Sequence, residues 1–141
     1  MENQKPKSTR QGLVQDGYFA FEDLEVYHRS VDLTVGVYKL TQTFPDLERF
    51  GLISQLRRAA TSVSLNIAEG KGRGTPKDFA RFLLQARGSL LEVVSGLHLA
   101  ERLEFTKRSE TQLLLNKAFE LTNKLTSFIR AINPQDPTKA P

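Results

Sequence analysis

Residues 75–100 read TPKDFARFLLQARGSLLEVVSGLHLA, and their spacing decides the fold class. Phe79, Leu83, Ala86, Leu90, Val93, Leu97 and Ala100 recur at intervals that alternate between four and three. That is the period of a single apolar seam along an α-helix; a strand, with its period of two, cannot produce it. Local chemistry marks where the helix starts. Thr75 offers a side-chain oxygen to an orphan backbone N–H, and Pro76 occupies the first helical position, where its missing N–H costs nothing. Asp78 adds negative charge at the positive end of the helix dipole. The pattern predicts a helix of about 25 residues, roughly 40 Å long at about 1.5 Å per residue.

Three more helical patterns surround this one. Downstream, Leu114, Ala118, Leu121, Leu125, Phe128 and Ile132 repeat the seam, with Ser109 and Gln112 placed to form a capping box and Asn133-Pro134 as the stop. Upstream, Leu52, Leu56, Ala59, Val63 and Ile67 form a stripe over a helix expected at about 46–70, with Asp46 as its N-cap and Gly70 as its terminator. The first helix, expected at about 22–43, carries two stripes. One is Leu24, Tyr27, Val31, Val35 and Tyr38, and the other is Leu33, Val37, Leu40 and Phe44. A helix apolar on two sides needs two partners. Four long helices with short links predict an all-α fold, an antiparallel up-down-up-down four-helix bundle spanning residues 19–133. Residues 1–18 and 134–141, rich in polar residues and proline, are expected to be loose tails.

Composition narrows the function classes. The chain has 141 residues and no cysteine, which rules out disulfides, thiolate metal sites and a cysteine nucleophile. No apolar run reaches the ~18 residues of a membrane span, and the N-terminal segment lacks the apolar core of a signal peptide. The expectation is a cytoplasmic protein with no membrane role and no cofactor. Metal chemistry finds one half-motif, Glu25–His28; the equivalent position before His98 is Ser95, so the paired Glu-x-x-His pattern of metal-binding bundles is incomplete. No Ser/His/Asp set or carboxylate pair stands out, so the chain reads as a non-enzyme.

Charge placement is more telling than its total. The net charge is +4, yet residues 50–90 contain seven basic residues against two acids, which leaves the remainder of the chain at −1. The seven are Arg57, Arg58, Lys71, Arg73, Lys77, Arg81 and Arg87. Alternating glycines at 70, 72 and 74 accompany them, but the run follows a helix and lacks the spacing of a P-loop or a dinucleotide fingerprint. Two readings remain: a glycine-rich connection between two helices whose charges meet only water, and a grip on the phosphate backbone of RNA or DNA, which needs cations and exposed N–H groups and reads no bases. Arg57 and Arg58 have an alternative role as ion-pair partners of acids on other helices, such as Glu92 or Glu101. No aromatic residue is clearly interleaved among the basics expected to be exposed, so stacking on single-stranded bases is not indicated.

The phrases FEDLEVYHRSVDLTVGVYKLTQTFP, ERFGLISQLRRAATSVSLNIAEGKGR and FARFLLQARGSLLEVVSGLHLAERL resemble the S23-like, 23S ribosomal RNA intervening-sequence protein family, over about Phe19 to Ile132. The resemblance implies a four-helix bundle that assembles as a ring-like homopentamer, which would give the second stripe of the first helix its partner. The accessory variability determinants of diversity-generating retroelements look like distant relatives of this architecture. They imply a second function class, a protein–protein adaptor acting with a reverse transcriptase or a ribosomal partner.

Overall fold

A computed structural model describes residues 17–133. The two segments read as tails lie outside the described residues, apart from Gly17 and Tyr18. Four helices dominate: α1 (Glu25–Thr41), α2 (Leu52–Lys71), α3 (Pro76–Arg102) and α4 (Arg108–Ile132), with short 3-10 turns at Ala20–Asp23 and Asp46–Glu48. There is no strand among the described residues.

Cross-helix partners fix the topology. Ser30 bonds Ser64 and Thr34 bonds the Ala60 carbonyl, while Arg57 reaches Thr41, so α2 runs backwards along α1. Ser62 meets Ser89 and Arg58 meets Glu92, which makes α2 and α3 antiparallel. Arg87 meets Thr126 and Glu101 meets Thr111, so α4 returns along α3. Arg29–Glu120 and Lys124–Glu25 close the ring between α4 and α1. The bundle is antiparallel and up-down-up-down.

The seven seam residues of α3 are all buried, and they form one core with Leu33, Val37, Leu56, Val63, Ile67, Leu121 and Leu125. In α4 the inner row drifts. Ile129 is fully buried where the expected Phe128 and Ile132 are only partly so, because a straight helix of 3.6 residues per turn slips against a strict seven-residue repeat. In α1 the core row is Val26, Ser30, Leu33, Val37 and Thr41; of the other stripe, Val35 and Tyr38 stay exposed.

Three expected boundaries are corrected. Asp46 does not cap α2; residues 46–48 form a separate turn, and Glu48 reaches past Gly51 to accept the Leu52 N–H at 2.9 Å. Ser109 lies inside α4 instead of capping it. The N-cap is Lys107, whose backbone N–H is held at 3.2 Å by the Glu110 carboxylate, and Gln112 bonds Asn116 instead. Gly70 does not terminate α2, which continues to Lys71. It is buried, and a Cβ there would sit 2.6 Å from the Phe82 Cβ, so its role is to let α2 and α3 approach closely. The turn itself uses Gly74, at φ +86°. The α3 start is as read from sequence: Thr75 Oγ1 accepts the Asp78 N–H at 3.2 Å.

Candidate nucleic-acid interface

The seven basic residues do not form one surface. They fall into four groups because they project from different sides of two antiparallel helices. Arg87 faces α4, where its Nη1 donates to Thr126 Oγ1 at 3.1 Å. Arg58 lies on the outer side of α2, bonded to Gln55 at 2.8 Å and to Glu92 of α3 at 3.4 Å. Arg57, one residue and about 100° away, turns toward α1. Its guanidinium lies 4.6 Å from the centre of the Tyr38 ring, with Nε donating to Thr41 Oγ1 at 2.9 Å and Nη2 to the Tyr38 carbonyl at 3.4 Å.

The remaining four, Lys71, Arg73, Lys77 and Arg81, gather at the end of the bundle where α2 passes into α3, and all are exposed. Phe82 organises two of them. The Arg73 guanidinium stands 4.8 Å from its ring centre and that of Arg81 stands 5.0 Å away, which keeps the two cations within about 10 Å of each other. Each also has a weak local acid: Glu69 at 3.1 Å from Arg73, and Asp78 at 3.5 Å from Arg81. Exposed pairs of this kind contribute roughly 0–1 kcal/mol and separate easily when a stronger anion arrives. Lys71 lies 5.6 Å from the Phe79 ring centre.

The strongest ion pair is elsewhere. Arg108 holds Glu101 through two bonds of 2.9 Å, and the Thr111 hydroxyl also donates to it. The Arg108 fork first, and the Thr111 hydroxyl second, lower the Glu101 carboxyl to about 2. This pair ties α3 to α4 and takes no part in the basic surface. The Glu25–His28 half-motif is spent on local contacts: Glu25 pairs with Arg29 and Lys124, while His28 bonds the Glu22 carbonyl. No group of three or more acidic or histidine side chains with metal-site geometry occurs among the described residues.

Sequence reasoning missed the aromatic component. Along the outer side of α2 runs an open groove of about 750 Å³ lined by Tyr38, Arg49, Phe50, Arg57, Arg58 and Leu65, among others. Phe50 is 91% exposed and Tyr38 is 41% exposed. Tyr38 comes from α1, so its place beside Arg57 is set by helix pairing. Phe50 was legible only as a residue seven places before Arg57, in a segment expected to lie inside the second helix.

The model of the family described as 23S rRNA-intervening sequence protein matches residues 22–127. The chain belongs to that family. The match covers α1, α2 and α3 and most of α4, so the family region includes every basic residue described above. A solved structure of a protein with unknown function from the S23 ribosomal protein family of Bacteroides thetaiotaomicron is 26% identical, with a TM-score of 0.67; the alignment covers 74% of this chain and 98% of that one. No curated protein matches the chain. No helix among the described residues of this intervening-sequence family member is long and apolar enough to cross a membrane.

Proposed function

We propose that this protein is a non-enzymatic, self-assembling helical bundle that grips the phosphate backbone of RNA or DNA. The observation that carries the reading is the Phe82 platform. One aromatic ring holds the Arg73 and Arg81 guanidiniums within about 10 Å of each other, with Lys71 and Lys77 alongside. Guanidiniums held in place lose less freedom on meeting phosphate, and their delocalised forks suit bidentate contact. Exposed backbone around Gly72 and Gly74, before the α3 N-terminus, favours the same negative charge.

The test is salt-dependent binding of structured RNA and duplex DNA. Each phosphate contact contributes roughly 0.7 to 0.9 to the slope of log affinity against log salt. Reversing Arg73, Lys77 and Arg81 to glutamate is expected to weaken binding at low salt and to reduce that slope by about two to three. Unchanged affinity in the triple variant would sink the proposal.

A second reading, assembly with protein partners, is favoured by Gly88. Three other helical glycines each have a close neighbour within the bundle: Leu114 at Gly36, Phe82 at Gly70 and Leu56 at Gly96. Gly88 has nothing within 4 Å of where its Cβ would be, yet it sits in mid-helix, where glycine costs roughly 1 kcal/mol relative to alanine. At 100° per residue it shares the outer side of α3 with Leu84, Leu91, Ser95 and Leu99, of which Leu91 and Leu99 are more than half exposed. A small residue on an exposed apolar stripe suits close approach by another helix. A homopentamer, or an adaptor role toward a reverse transcriptase or ribosomal protein, would use this stripe. Light scattering on the parent and on Gly88→Leu reads it: a monomeric parent, or an unchanged mass in the variant, would remove the stripe as a self-association surface.

A further inference from the structure

From the groove along α2 we infer a binding site for an unpaired RNA strand, distinct from the Phe82 platform but resting on the proposal that the protein binds nucleic acid. The chemistry of the lining selects the occupant. Three arginines, Arg49, Arg57 and Arg58, line it with one carboxylate, Glu69; Glu69 is engaged with Arg73 and Arg58 with Glu92, which leaves Arg49 and Arg57 without an acidic partner among the described residues. The groove is therefore cationic and selects an anion. Its aromatic content then selects the kind of anion. Phe50 presents almost its whole side chain to solvent, and Tyr38 is partly exposed with the Arg57 guanidinium over its ring. A duplex hides its base faces and offers only phosphates, whereas an unpaired strand offers both, and base–aromatic stacking tolerates any sequence.

The arrangement of Arg57 fits this use. Two of its three nitrogens are committed, Nε to Thr41 and Nη2 to the Tyr38 carbonyl, and the plane is held over the Tyr38 ring. Nη1 has no partner among the described residues, so the side chain is immobilised with one donor group to spare. From Ile53 to Glu69 the groove follows α2 for roughly 24 Å, enough for several nucleotides in extended form. In its lining Ser54 and Thr61 offer hydroxyl groups and Asn66, whose Nδ2 donates to Ser62, offers its amide oxygen; these can bond a ribose 2′-hydroxyl, which favours RNA over DNA.

The experiment is fluorescence anisotropy on the full chain with one labelled RNA lacking self-complementarity, the DNA strand of the same sequence, and the RNA paired with its complement. The expected result is tighter binding of the single RNA strand than of either alternative. Phe50→Ala should weaken the single strand roughly 5- to 100-fold while leaving the duplex unchanged, and Phe50→Trp should retain the parent affinity. Phe50 is fully solvent-facing, and a far-UV circular dichroism spectrum matching the parent confirms that the fold is intact. Four results would overturn the inference: no loss in Phe50→Ala, duplex binding as tight as single-strand binding, preference for the DNA strand, or a drop in assembly mass in Phe50→Ala, which would make the groove a contact between copies. If the parent binds both RNA forms alike and the Arg73/Lys77/Arg81 reversal weakens both, the backbone-gripping proposal stands and only the groove assignment falls. If the parent binds neither form, both fall.

Discussion

Replacing Gly70 by alanine adds a single methyl group, and the bundle should be less stable for it. The added Cβ would lie 2.6 Å from the Phe82 Cβ, 3.1 Å from Phe79 Cδ1 and 3.4 Å from the Phe79 carbonyl oxygen. The first contact decides the outcome. A Cβ is fixed to the backbone, so Phe82 cannot swing away; α3 itself has to move relative to α2. Overpacking of this kind costs about 1–3 kcal/mol, while exchanging glycine for alanine in a helix returns at most about 1 kcal/mol. The net loss is about 1–2 kcal/mol, equivalent to a fall in Tm on the order of 3–10 °C for a domain of this size. Gly36→Ala provides the internal control. There the nearest atom, at 2.4 Å, is Leu114 Cδ2, the tip of a flexible side chain, and the same propensity gain should leave stability about unchanged or slightly raised. Urea unfolding followed by far-UV circular dichroism separates the two: the midpoint should fall for Gly70→Ala at constant m and hold or rise for Gly36→Ala. A Gly70→Ala midpoint equal to or above the parent would refute the close-approach role of this glycine.

Other perturbations follow from the same geometry. Thr75→Ala removes the oxygen that accepts the Asp78 N–H and should cost about 1 kcal/mol, read as a lower urea midpoint; Thr75→Ser should recover most of it. Glu101 is held by Arg108 and the Thr111 hydroxyl with its carboxyl lowered to about 2. Its contribution to stability is therefore full above the ordinary carboxylate value and is lost as pH falls toward about 2. Thermal unfolding across that acid range should show the parent and Glu101→Gln furthest apart above pH 5 and converging near pH 2; parallel curves would contradict the assignment.

Legibility in the sequence followed the range of the interaction. The α3 seam and its Thr75-Pro76 start were readable because periodicity and capping act within a few residues of one helix. Four helices and their order followed for the same reason, since short links leave few ways to pair amphipathic helices. The corrected boundaries share a cause. Asp46, Ser109 and Gly70 each fit a local rule, but Glu48 and Glu110 cap from other positions, and a partner helix claims Gly70. Composition and position also gave the basic segment, and by itself the sequence determined how much positive charge the α2–α3 hairpin carries.

How that charge is shared out was decided only in three dimensions. Arg57 and Arg58 are neighbours in the chain, yet one is stacked on a tyrosine of α1 and the other reaches a glutamate of α3. Arg87, counted with the rest, is drawn to α4. Arg73 and Arg81 lie eight positions apart but share one phenylalanine. The physical reason is that a hydrophobic period fixes which side of each helix turns inward, while leaving open the axial register at which two helices lock. That register is set by close contacts such as Gly70 on Phe82 and Gly96 on Leu56, and it determines which outer side chains from different helices become neighbours.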